Sequence, residues 1–178
     1  MTDLVDKYSM NRATLPVGYR HAAGFTVLEL AIVVAIVAIL AGLAAPGFSQ
    51  ALRNNRISAQ TTEFMDGLDL ARSTAVSARH SVYICASANS TNCNNSTNWA
   101  TGWIVKDNAT NTLLSIGTAL GYGSTLNGSI STLTFDGYGG ADAAAAFTLT
   151  PSGCTGSEAR SISTALSGLV AVEHGACP

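Results

Sequence analysis

The chain has 178 residues, of which 11% are charged and 47% hydrophobic, with a formal net charge of −2 at pH 7. Such a composition excludes a disordered chain, a long coiled coil or a polybasic protein, and the length allows one hydrophobic core of ordinary size. With no overall positive charge, any attraction to nucleic acid or anionic lipid has to come from a local basic patch.

Residues 1–24 carry Lys7, Arg12, Arg20 and His21 against Asp3 and Asp6, and Pro16 and Gly18 disfavour a helix there. This stretch reads as a cytoplasmic leader. Between Glu29 and Arg53 no residue is charged, and Leu30 to Ala45 reads LAIVVAIVAILAGLAA. A bilayer crossing takes about 20 predominantly apolar residues. Residues 25–46 are therefore expected to form a transmembrane helix segment, with Pro46 as a kink. An acid within such a segment is expensive and reads as functional, which singles out Glu29. A secretory signal cut near Ala41, Ala44 or Ala45 is the competing reading. The length of the run and its continuation into a second helical pattern favour retention.

Residues 47–80 form that second pattern. Ile57, Thr61, Phe64, Leu68, Ala71, Ala75 and Ala78 recur at alternating steps of four and three, giving one stripe that predicts a core-facing helix from Phe48 to about His80. The arginines and acids lie mostly off the stripe, where Asp69 and Arg72 are spaced to pair. Residues 81–178 then change to Thr, Ser, Asn and Gly around short β-prone runs. Strands are predicted at 82–86, 102–106, 113–117, 130–136, 147–150, 160–164 and 169–173, with loops at 107–111, 121–128 and 137–146. The fold class is α+β: a long N-terminal helix, its first half in the membrane, packed on an antiparallel β-rich globular domain.

Cys85, Cys93, Cys154 and Cys177 all lie beyond the apolar segment, as suits structural disulfides in an oxidising compartment. Three pairings are open. The favoured one joins Cys85 to Cys93 across an Asn/Ser/Thr-rich loop and Cys154 to Cys177 at the C-terminal end. No C-x-x-C spacing occurs, and His80 and His174 stand at no ligand interval, so no metal or other cofactor is expected. The nucleotide-binding, serine-hydrolase and zinc-protease patterns are absent, and no catalytic residue is assigned. In the β-rich half only Lys106 and Arg160 are basic, against Asp107, Asp136, Asp142, Glu158 and Glu173. They are the only candidates there for contacts to DNA, which that balance disfavours.

Gly24-Phe25-Thr26-Val27-Leu28-Glu29, followed by the Ile/Val/Ala-rich run and Pro46, resembles the class III leader of type IV pilins and type II secretion pseudopilins. The resemblance implies cleavage between Gly24 and Phe25 by a prepilin peptidase and N-methylation of Phe25. Glu29 is then the acid that matches the amine of a neighbouring subunit during assembly. Physically, a slipped subunit would leave two unpaired charges in an apolar bundle. Trp99, Gly102-Trp103-Ile104-Val105, Thr134-Phe135-Asp136-Gly137 with Gly139, and Ser167-Gly168 resemble the GspH/FimT branch of minor pilins.

That branch implies a minor subunit assisting initiation of a type IV pilus, at or near its tip. The alternatives are a minor pseudopilin of type II secretion and a DNA-uptake pilin. The last relies in some FimT-like pilins on a glycine-arginine motif, where this chain reads Gly168-Leu169-Val170-Ala171-Val172-Glu173-His174. Expected partners are the prepilin peptidase, other pilins or pseudopilins, the inner-membrane assembly platform and, before assembly, lipid. The expected location is the bacterial inner membrane with a periplasmic C-terminal domain, then the filament.

Overall fold

The computed structural model describes residues 24–178, except for the side chains of residues 44–46. The leader residues Lys7, Arg12, Arg20 and His21 and the side chain of Pro46 lie outside the described residues. The chain divides into two compact units, residues 1–44 and 45–178, and each is considered by itself.

In the first unit, helix α1 begins at Val27; its assignment runs to Ala78 in the second. Every described side chain of residues 24–43 is exposed. By length and composition, neither Val27–Leu43 nor Gly47–Ala78 alone is long and apolar enough to cross a membrane, whereas the two taken together are.

In the second unit, eight strands form two antiparallel four-stranded sheets. They are β1 (Val82–Ala86), β2 (Trp103–Asp107), β3 (Leu113–Gly117), β4 (Thr125–Gly128), β5 (Thr132–Phe135), β6 (Ala145–Thr150), β7 (Ala159–Thr164) and β8 (Val170–Gly175). The first sheet is ordered β3-β2-β1-β5 and the second β4-β6-β7-β8. Strand β4 corrects the expected loop at 121–128, and β6 begins inside the expected loop at 137–146. Leu126 is the one large apolar residue of β4, and the strand exists because it pairs with β6, Leu126 facing Leu149 in register.

The helical stripe seats the core. Ile57, Phe64, Leu68, Ala71 and Ala75 are buried together with Thr61, whose hydroxyl donates to the Ile57 carbonyl oxygen at 2.7 Å. Ala78 is exposed, and the helix ends as Arg79 takes a left-handed φ of 56°. Phe64 joins the layers. Its ring centroid lies 5.6 Å from that of Trp99 in the short 3-10 turn Trp99–Thr101, 6.1 Å from that of Trp103 on β2 and 4.9 Å from that of Phe147 on β6. All three contacts are edge-on, the favoured arrangement of aromatic quadrupoles. The buried indole of Trp99 is satisfied, its Nε1 donating to the Ile130 carbonyl oxygen at 2.8 Å.

Candidate functional site

At the start of α1 the backbone N–H of Glu29 donates to Thr26 Oγ1 at 3.2 Å, and Leu30 N donates to the Thr26 carbonyl oxygen at 3.1 Å. Thr26 is therefore the N-cap, answering one of the four amides that a helix start leaves unpaired. Glu29 falls in the first turn, where a carboxylate also faces the positive end of the helix dipole. The T-x-x-E spacing of Thr26 and Glu29 is the sequence signature of a capping box, of which the structure shows the Thr26 half. Gly24 and Phe25 precede the helix, with Phe25 84% exposed.

The disulfides are Cys85–Cys93 and Cys154–Cys177. On β1, Val82, Ile84 and Ala86 face the helix, so Cys85 points to the other side of the sheet, as alternation requires. It lies opposite Ile104, both fully buried, and its bond to Cys93 draws the 87–98 loop over that face. Cys154–Cys177 ties the segment after β8 to the β6–β7 connection, and Cys177 N donates to the Gly156 carbonyl oxygen at 2.9 Å.

Most of the basic residues make contacts within the fold. Lys106 on the first sheet donates through Nζ to Asn111 Oδ1 at 3.2 Å. Arg160, on the second sheet, retains 9% of its surface, and its Nη1 donates to the carbonyl oxygens of Glu158 and Ala159 at 2.8 and 3.1 Å. The two cations stand on different sheets and form no shared patch. Arg72 does not bond Asp69; its Nε and Nη2 donate to the carbonyl oxygens of Gly139 and Ser167, 3.0 and 3.3 Å away, clamping two loops to the helix. The guanidinium of Arg56 lies 4.0 Å from the ring centroid of Tyr122.

Two buried acids fix other junctions. Glu158 accepts from Arg53 Nη2 at 3.0 Å and from Thr155 N at 3.1 Å, and the Arg53 bond foremost holds its carboxyl below the usual value against the opposing effect of burial. Asp107 accepts from the backbone N–H groups of Ala109 and Thr110 at 2.8 and 3.0 Å, and His80 Nε2 lies 3.4 Å from its other oxygen. The Thr110 amide is the main cause of its lowered pKa. Among the described residues no group of three or more His, Cys, Asp or Glu is arranged to hold a metal ion.

The model of the family described as Type II transport protein GspH matches residues 60–168, more than half of the chain. The prokaryotic N-terminal methylation motif matches residues 19–45. No curated protein matches the chain. Two crystal structures of the type IV minor pilin FimU of Pseudomonas aeruginosa (strain PAO1) share the fold. One, in space group P65, is 22% identical with a TM-score of 0.50, over 67% of this chain and 90% of that one. The other, in P21, is 20% identical with a TM-score of 0.53, over 70% and 90%.

Proposed function

Because this chain belongs to the GspH family of pilin-like proteins, we propose that it is a minor subunit of a type IV pilus that assists filament initiation at or near the tip. Pilins and pseudopilins are structural subunits, and the reading assigns no reaction to this one. The observation that carries it is Gly24-Phe25-Thr26-Val27-Leu28-Glu29 at the head of a helix that stays uncharged until Arg53, inside the matched methylation motif.

In this reading the peptidase cuts after Gly24, the new amine of Phe25 is methylated, and residues 25–46 hold the protein in the inner membrane with the β-rich domain in the periplasm. Glu29 then meets the amine of a neighbouring subunit. An unpaired charge in an apolar bundle costs several kcal/mol, about enough to make register all-or-none. The exposure of the apolar side chains of residues 24–43 supports a role that requires lipid or neighbouring helices to cover them.

The description of the matched family favours a second reading, a minor pseudopilin of a type II secretion pseudopilus. Uptake of DNA is the weakest reading, since Lys106 and Arg160, the two cations of the β-rich half, stand on different sheets and form no shared patch. Sequencing the N-terminus of the mature chain, with a mass measurement, tests the common premise: a methylated start at Phe25 supports it, and a start after Ala45 removes it. Deletion of the gene then separates the two systems. Loss of surface pili with normal protein export favours the pilus, and the converse favours secretion.

A further inference from the structure

A polar cleft of about 500 Å³ opens where the first turns of the second unit's helix meet the β7–β8 end of the second sheet, lined by Gln50, Asn54, Thr155, Ser157, Arg160 and His174 beside Glu158. Arg160 and His174 are register partners, so they stand side by side on one face. That face is the inner one, shared with Ile162. Glu173 pairs with Ser161 one step away and therefore points to the opposite face.

The charges in the cleft do not cancel. Glu158 is taken by Arg53. Arg160 has no carboxylate within ion-pairing distance among the described residues. Only its Nη1 is engaged, by two carbonyl oxygens, so Nε and Nη2 have no protein acceptor there. Neither nitrogen is among the buried side-chain atoms that lack a partner, so both reach the solvent of the cleft, where an acceptor on a ligand can meet them. His174 Nδ1 sits 3.4 Å from the Ser157 carbonyl oxygen, which steadies the ring at the rim.

We propose that this cleft binds a carboxylate group, held by the unengaged edge of Arg160 with His174 beside it, and with the amides of Gln50 and Asn54 and the hydroxyl of Ser157 completing its polar wall. The planar edge of one guanidinium matches the two oxygens of a carboxylate. A phosphate dianion fits less well, because the Glu158 carboxylate lines the same space. The cleft is far larger than a carboxylate, so the group arrives on a small organic acid or on an acidic side chain of a peptide. The site stands independently of the filament assignment.

The test uses the full chain, isotopically labelled and in detergent micelles, and follows the Arg160 Nε–H and His174 ring resonances. Succinate, a capped tripeptide with a central glutamate, and inorganic phosphate are titrated in turn. Saturable shifts at both residues with a carboxylate probe are expected. Binding should be lost in Arg160→Gln, weakened several-fold in His174→Gln and unchanged in Lys106→Gln. His174 is exposed, so its variant keeps the test valid even if Arg160→Gln fails to fold. Saturation with succinate as well as the peptide identifies a free acid as sufficient, and saturation with the peptide alone identifies a carried side chain. No saturable shift with either carboxylate, binding unaffected by both cleft variants, or tighter binding of phosphate overturns the proposal.

Discussion

Arg53 and Glu158, 105 positions apart in sequence, meet through a 3.0 Å bond from Nη2 to Oε1 that fastens the helix to the start of β7. The folded chain holds Glu158 ionised more readily than the unfolded chain, so its contribution is complete above the ordinary value of 4.5 and is lost as pH falls through the lower folded value. Asp107 has the same sign. Thermal unfolding followed from pH 7 to pH 3 should therefore show stability falling below about pH 4.5. Glu158→Gln should be less stable than the parent at neutral pH and should lose less on acidification. An unchanged pH profile in that variant would show that the pair carries no linkage.

Gly67 and Gly117 clasp the indole of Trp103. A Cβ at Gly67 would lie 2.4 Å from the ring and one at Gly117 would lie 1.9 Å from it. In an exposed helix Gly→Ala is stabilising by about 1 kcal/mol. Here the sign reverses. Gly67→Ala should destabilise by about 1–3 kcal/mol, the usual cost of overfilling a core, measured by denaturant unfolding.

Phe64 touches an aromatic residue of each sheet and of the 3-10 turn, so its removal loosens all three at once. Phe64→Ala should cost about 3–5 kcal/mol, and Phe64→Leu distinctly less. Near-ultraviolet circular dichroism, which reports the packing of Trp99 and Trp103, should lose intensity with it.

The disulfides close loops of unequal length, with sequence separations of 8 and 23. On loop entropy alone they stabilise by about 2.5 and about 3.4 kcal/mol. Replacing Cys154 and Cys177 together by Ser should therefore lower the midpoint of unfolding more than replacing Cys85 and Cys93 together does. The paired comparison of the two double variants measures this.

One substitution separates the two roles proposed for Glu29. A glutamine at the third helical position serves a capping box as well as a glutamate does, but it carries no charge. If Glu29 acts through the cap made with Thr26, Glu29→Gln should assemble normally. If it matches an amine in an apolar bundle, Glu29→Gln should insert and be processed yet be absent from filaments, which immunoblotting of sheared filaments measures.

Local chemistry accounts for much of what could be read in advance. The stripe from Ile57 to Ala75 was legible because helical periodicity repeats over many turns, and β1 and β3 because each is a compact apolar run between polar residues. Strand β4 was not, since Thr125-Leu126-Asn127-Gly128 looks like a turn until β6 lies beside it. Arg160 was equally opaque: as a letter it is a cation for the surface, and only its place opposite Leu149 and His174 turns it inward.

The order of residues by itself determined the methylation motif, the uncharged apolar run and the capped helix start, because each is an interaction among neighbours a few positions apart. Tertiary structure alone decided the seat of Trp103 between two glycines, the Arg53–Glu158 bond and the cleft in front of Arg160. Those depend on which distant segments the two sheets bring within a few ångströms of the helix, and no local pattern encodes that distance.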